Sequence, residues 1–173
     1  RAHASTAIIA SYFDQESTLF GFVIDSELEA VKKVIDNNQR PFTAIMGGAK
    51  ISDKILLIEK MLDKVDNLII GGGMSYTFFK AMNGEVGNSL VEEEHLDLAL
   101  ELIDKAKERN VDLYLPEDSL AANNFSNDAD IKSFDSKAIP DGWMGLDIGS
   151  KAIATYKKVI LSSQTILWNG PVG

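Results

Sequence analysis

Short, almost wholly apolar runs alternate along this chain with longer stretches in which apolar side chains recur every three or four positions. The runs fall at 42–46, 67–70, 112–115, 144–148 and 165–168, and their length and aliphatic content predict buried strands. Between them, Leu28, Val31, Val34 and Ile35 predict a helix over 26–37, closed by the polar residues before Pro41. Ile55, Ile58 and Leu62, with Leu56 and Met61 beside them, predict a second over 52–63. Tyr76, Phe79 and Met82 carry a third from Ser75 onward. The strongest stripe, Leu96, Ala99, Leu100, Ile103 and Ala106, predicts a helix over 92–109. Glu92, Glu93 and Glu94 lie near its start and Lys105, Lys107 and Arg109 near its end, as the helix dipole favours. A last helix is expected over 150–161. The stretch 119–140 is polar and rich in turn residues, and 131–134 reads as a short edge strand or a loop. Helices alternating with fully apolar strands predict an α/β fold, doubly wound, with a mostly parallel sheet covered by helices on both faces. Trp143, Met144 and Trp168 read as core.

The same pattern places small or polar residues directly after the strands: Gly47-Gly48, Gly71-Gly72-Gly73, Pro116-Glu117-Asp118, Gly149 and Asn169-Gly170-Pro171. Open parallel sheets bind ligands outside the carboxyl ends of their strands. These exits are therefore expected to outline one cleft. The first is the most chemical. In Gly47-Gly48-Ala49-Lys50-Ile51-Ser52-Asp53-Lys54, the glycines let backbone approach a ligand closely. A helix start offers unpaired N–H groups to an anion, and two lysines four apart in a first helical turn would share a face. That is an arrangement for a phosphate. It is not the G-x-x-x-x-G-K-[ST] loop, because lysine and hydroxyl come in the wrong order.

Composition narrows the ligand further. With 17 basic against 26 acidic residues the net charge is −9, which argues against a nucleic-acid partner while leaving room for a local basic pocket. The chain has no cysteine, which excludes a disulfide framework and a thiolate metal site. No His/Cys/Asp cluster indicates a protein-held metal, and His95 reads as an ordinary surface residue. No run approaches the length of a membrane span, so no membrane association and a cytoplasmic location are expected. The chain opens at Arg1 without a starting methionine and closes on Gly170-Pro171-Val172-Gly173, and it reads as a piece of a larger protein.

The motifs Gly47–Lys54, Ile69-Ile70-Gly71-Gly72-Gly73-Met74, Ile139-Pro140-Asp141-Gly142-Trp143-Met144-Gly145-Leu146-Asp147-Ile148-Gly149 and Ile166-Leu167-Trp168-Asn169-Gly170-Pro171-Val172-Gly173, with Arg1-Ala2-His3-Ala4-Ser5 at the start, resemble the phosphoglycerate kinase family. The likeness runs in order across the whole chain. It implies that residues 1–12 are an interdomain junction and connecting helix, and that 13–173 form an incomplete nucleotide-binding domain, a Rossmann-like three-layer sandwich. The implied activity of the parent is the glycolytic transfer of a phosphoryl group between 1,3-bisphosphoglycerate and ADP, giving 3-phosphoglycerate and ATP. By the same resemblance, Lys54 and Lys50 are catalytic, contacting the nucleotide phosphates and the transferring group. Gly47 and Gly48 belong to that motif, Gly71, Gly72 and Gly73 admit the adenosine, Gly145 and Leu146 wall the adenine pocket, and Asn169, Gly170 and Pro171 approach ribose and phosphates. Arg1 matches an arginine of the substrate-phosphate patch, while His3 reads as structural. Mg2+ is expected to arrive with ADP or ATP, 3-phosphoglycerate to sit on the missing domain, and the parent to be a monomer.

The chain departs from the family pattern in lacking most of the substrate domain and the later glycine-rich phosphate loop. Glu117 also stands where many members carry an apolar residue. Two other readings compete: a Rossmann-like dinucleotide-binding domain, against which stands the missing G-x-G-x-x-G fingerprint, and a non-catalytic α/β interaction module.

Overall fold

The computed structural model describes residues 4–36 and 38–173. The chain divides by its internal contacts into two compact units, one through Asn38 and one from Gln39 to Gly173. In the first unit, short turns between Ala4 and Ser17 lead to α1 (Phe22–Asp36). This helix starts four residues earlier than its pattern predicts and buries none of its described side chains; Leu28 and Val31 are exposed.

The second unit is built on a four-stranded, wholly parallel sheet. In chain order its first elements are β1 (Phe42–Met46), α2 (Ile55–Leu62), β2 (Asn67–Ile70), α3 (Met74–Ala81), β3 (Glu85–Val86), α4 (Leu96–Glu108) and β4 (Asp112–Tyr114). They continue through β5 (Asp118–Ala122), β6 (Ile131–Asp135), β7 (Ala138–Ile139), β8 (Met144–Ile148), α5 (Ser150–Ser162) and β9 (Thr165–Asn169). The parallel sheet has the order β4-β2-β1-β9, with Ala44 opposite both Leu68 and Leu167. β1 and β2 lie at its centre and are buried at every position, which is why their sequences carry no polar alternation.

Helices cover both faces. On one, Ile45 and Ile69 pack with Tyr156 and Val159 of α5, and the Tyr156 hydroxyl donates to the Ile70 carbonyl at 3.0 Å. The alternating residues Ala44, Met46, Leu68 and Ile70 are buried on the other. There α4 touches both α2 and α3, and Lys105 bridges to Glu59 at 2.6 Å. The α4 stripe is rotated from its expected position: Leu102 is buried and Leu100 is exposed. On α2, Ile58, Met61 and Leu62 are buried whereas Leu56 points to solvent.

One expectation is corrected. β8 does not join the parallel sheet; it pairs antiparallel with β5, which also pairs antiparallel with β6, giving a separate sheet of order β6-β5-β8. The polar stretch 119–140 therefore contains strands. Ile131–Asp135 is the edge strand expected near 131–134, whereas Asp118–Ala122 escaped the pattern because its buried positions, Asp118, Ser119, Ala121 and Ala122, are polar or small; Ala121 packs with Tyr76, Phe79, Val86 and Ile139, bordered by Phe134 and Trp143. Phe134 and Trp143 meet edge-to-face, 5.3 Å between centroids. Trp168, read as core, is instead 62% exposed, because β9 is an edge strand and its indole N–H reaches back to the Gly170 carbonyl at 2.8 Å.

Candidate functional site at the carboxyl edge of the sheet

Three adjacent strands of the parallel sheet, β2, β1 and β9, release their chains at the same edge, and backbone hydrogen bonds stitch the three loops together. The Gly47 amide donates to the Asn169 carbonyl at 2.9 Å, Gly71 to Met46 at 2.9 Å, Gly72 to Val172 at 2.7 Å and Met74 to Gly48 at 3.0 Å. Gly72 has φ 71° and lies against Gly48, so close that an added β-carbon would stand 2.7 Å from the Gly48 carbonyl oxygen. Only glycine satisfies both conditions.

Above these loops opens a cavity of about 440 Å³. Gly48, Ala49, Gly72, Gly73 and Pro171 line one side, where backbone is bare. Met144, Gly145, Leu146 and Phe125 form the other, largely apolar side, while Leu90 lies against Gly73 on the first. The Gly145 amide donates to Ser89 Oγ at 2.9 Å, which fixes that wall's backbone. A bare-backbone wall facing an apolar one suits a flat apolar group carrying a polar or charged tail.

The two lysines do not sit inside the first helical turn. α2 begins at Ile55, Lys54 occupies the position just before it, and the residues from Lys50 form a turn in which the Lys54 amide donates to the Ile51 carbonyl at 2.8 Å. The glycine-rich approach delays the helix. Lys54 is half-buried; its stem lies alongside Gly48 and its ammonium donates to Oδ1 of Asn169, the last residue of β9. Lys50 is exposed. The structure thus brings Gly47, Gly48, Lys54, Gly71, Gly72, Gly73, Gly145, Leu146, Asn169, Gly170 and Pro171 to one edge. Arg1 and His3 lie outside the described residues.

The strand exits do not all meet there. Pro116 and Glu117 line a different cavity of about 370 Å³ with Asp135, Lys137 and Lys151. Gly149 lies against Asp118, whose buried carboxylate accepts the amides of Lys151 (3.1 Å) and Ala152 (2.9 Å) at the start of α5. The reason is the separate sheet: β8 meets the cleft with its first residues, not its exit. Sequence reading also missed Phe125 and Leu90. Phe125, 81% exposed on the β5–β6 connection, stands in a run of Asn, Ser and Asp that gives no signal beyond a lone aromatic in a polar loop.

A further carboxylate supports the lysine-bearing turn from behind. Glu92 is buried; it accepts the Ser52 hydroxyl at 2.6 Å and the Ser52 amide at 3.1 Å, while its own amide donates to Thr77 Oγ1 at 3.1 Å. Burial by itself would raise its pKa, but the hydrogen bonds from Ser52, the Ile51 amide and nearby His95 together hold it below the usual glutamate value.

An open parallel α/β domain with a loop-built cleft at its carboxyl edge defines the class. A family model described as phosphoglycerate kinase matches residues 1–173, and the chain belongs to that family. It is 53% identical over all its 173 residues to a phosphoglycerate kinase of Porphyromonas gingivalis and 48% identical to one of Synechococcus elongatus. It spans only 41% and 42% of those relatives' lengths. Among solved structures it is similar to phosphoglycerate kinase from Coxiella burnetii, at a TM-score of 0.85 and 43% identity, covering 88% of this chain and 39% of that one. The phosphoglycerate kinase of Pyrococcus horikoshii OT3, 20% identical at a TM-score of 0.72 over 88% of this chain and 39% of that one, shares the fold.

Proposed function

We propose that the protein of which this chain spans a part moves a phosphoryl group between the acyl phosphate of 1,3-bisphosphoglycerate and ADP, and that the unit from Gln39 onward holds the nucleotide. The observation that carries this reading is the meeting of the Lys54–Asn169 pair and three glycine loops beside a cavity whose far wall is apolar. The base would lie against Leu146 and Phe125, with the phosphates toward Gly48, Gly72 and Lys54. In the forward direction a β-phosphate oxygen of ADP forms a bond to the transferring phosphorus as the bond to the carboxylate oxygen breaks, leaving 3-phosphoglycerate. Little covalent chemistry is asked of the protein; positioning and charge neutralisation do most of it. Lys54, with Lys50 earlier in the same segment, would offset charge on the equatorial oxygens.

None of the residues lining the cavity is acidic or a histidine. Mg2+ would enter on the nucleotide's phosphates, as part of the substrate. The triose would be held by the rest of the full-length protein, with Arg1 among its phosphate contacts, and cytosol is the natural compartment for such a reaction.

The test is turnover and nucleotide affinity in the full-length protein and its Lys54→Ala variant. A fall in kcat of about 10²–10³ with a much smaller change in affinity is expected for a charge most valuable in the transition state. Unchanged turnover with merely weaker nucleotide binding would remove Lys54 from this role. The 173-residue chain alone is expected to bind ADP weakly and transfer nothing; a preference for NADH over ADP would instead favour a dinucleotide site.

A further inference from the structure

The lysine-bearing turn owes its place to more than its glycines. Residues 51–54 leave β1 as a turn, and a turn ahead of a helix has no ladder of its own to fix it. Ile51 is buried and takes the Lys54 amide on its carbonyl, and the turn is tied down further by Glu92, which lies 40 residues beyond Ser52, before α4. One carboxylate oxygen takes the Ser52 hydroxyl at 2.6 Å and the other takes the Ser52 amide at 3.1 Å, so the grip is two-pronged and fixes orientation as well as distance. The Glu92 backbone is anchored in turn to buried Thr77 on α3, the helix that starts directly after Gly71-Gly72-Gly73. Glu92 therefore ties the segment that presents Lys54 to the element that follows the second glycine loop.

We infer that Glu92 is a positioning residue for phosphoryl transfer: by clamping Ser52 it sets where the Lys54 ammonium stands relative to Asn169 and the glycine loops. It touches no reacting atom and acts only through Lys54. A charge aimed at a transition state loses most of its value when displaced by an ångström, whereas a ground-state phosphate tolerates such a shift. The clamp's loss accordingly lowers kcat more than it weakens nucleotide binding.

This inference rests on the phosphoryl-transfer reading, and a double-mutant cycle in the full-length protein separates the two. Glu92→Gln keeps size and shape but loses one acceptor and the charge. It is expected to lower kcat about tenfold, with nucleotide KM within about twofold, in a protein that still unfolds cooperatively. In the Lys54→Ala background the same substitution is expected to change kcat by less than about twofold, because the group through which it acts is gone. Ser52→Ala, at an exposed position, is expected to repeat the pattern and serves where Glu92→Gln folds poorly. Equal losses in both backgrounds would make Glu92 a purely structural residue and overturn the inference. Should Lys54→Ala itself leave turnover intact, the underlying assignment of the site fails, not the clamp alone.

Discussion

A β-carbon placed on Gly47 would lie 1.8 Å from the carbonyl oxygen of Pro171. The first residue after β1 and the second residue after β9 are therefore backbone against backbone, and no side-chain rotamer can relieve a substitution there. Gly47→Ala is expected to destabilise the domain by about 3 kcal/mol through forced separation of the two loops. Urea unfolding measures it, with Gly21→Ala as the control, since nothing lies within 4 Å of a β-carbon at Gly21. Equal stabilities for the two variants would show that the Gly47–Pro171 approach is not maintained in solution.

Phe125 offers a sharper test of the cavity. If it closes over a flat base, Phe125→Ala is expected to weaken nucleotide binding by about 1–2 kcal/mol, the usual worth of one aromatic stacking partner. Leu146→Ala is expected to cost a similar amount through lost apolar contact. Both side chains are well exposed, so neither change should move the thermal midpoint much. Calorimetric titration with ADP decides; full affinity in the Phe125 variant would mean that the base lies elsewhere.

How much of this was legible beforehand follows from where each element sits. β1 and β2 are covered on both faces, so their apolar runs announced themselves, and the glycines at their exits followed. Asp118–Ala122 was hidden because its buried positions are polar or small, and Asp118 and Ser119, with Ser136 beside them, are buried polar groups satisfied by hydrogen bonds; Ile131–Asp135 kept enough apolar content to read as a short edge strand or loop. Lys54 could be named from its motif, yet its pairing with Asn169 spans 115 positions and is a property of strand order alone. Glu92 was just one of three consecutive glutamates; nothing local separates the buried one from its exposed neighbours.

The hydrogen bonds that hold its carboxylate make Glu92 a source of acid sensitivity. Its pKa is lowered in the folded state, so the unfolded chain binds the proton more tightly. The stability it contributes is present above the ordinary glutamate value and is lost as pH falls from there through the lowered folded value. Glu94 and His95 share this cluster, their ligand atoms and that of Glu92 all within 4.8 Å of one another, and protonated His95 favours the Glu92 carboxylate. Glu92→Gln is expected to flatten the acid limb of a plot of unfolding midpoint against pH while lowering the plateau near neutrality. Parallel curves for the two proteins would assign the acid sensitivity to other carboxylates.

Asp118 performs a comparable task at the other end of the small sheet. It belongs to β5, yet its carboxylate caps α5, accepting the Ala152 amide at 2.9 Å and the Lys151 amide at 3.1 Å, while its carbonyl accepts the Gly149 amide at 2.8 Å. The residue that precedes α5 is Gly149, which has no side chain to cap with, so the negative charge favoured at a helix N-terminus comes from a strand some 30 positions earlier. Being buried, the carboxylate leaves unpaired amides behind when it is replaced. Asp118→Asn is expected to cost about 2 kcal/mol, since one acceptor becomes a donor facing a donor. The loss should be local before it is global: α5 shields Ile45 and Ile69 through Tyr156 and Val159, so its first turn is expected to exchange amide hydrogens faster while β1 and β2 keep their protection. Unaltered exchange at Lys151 and Ala152 in the variant would show that the cap does not hold the helix start, and the stability change, if any, would then need another origin.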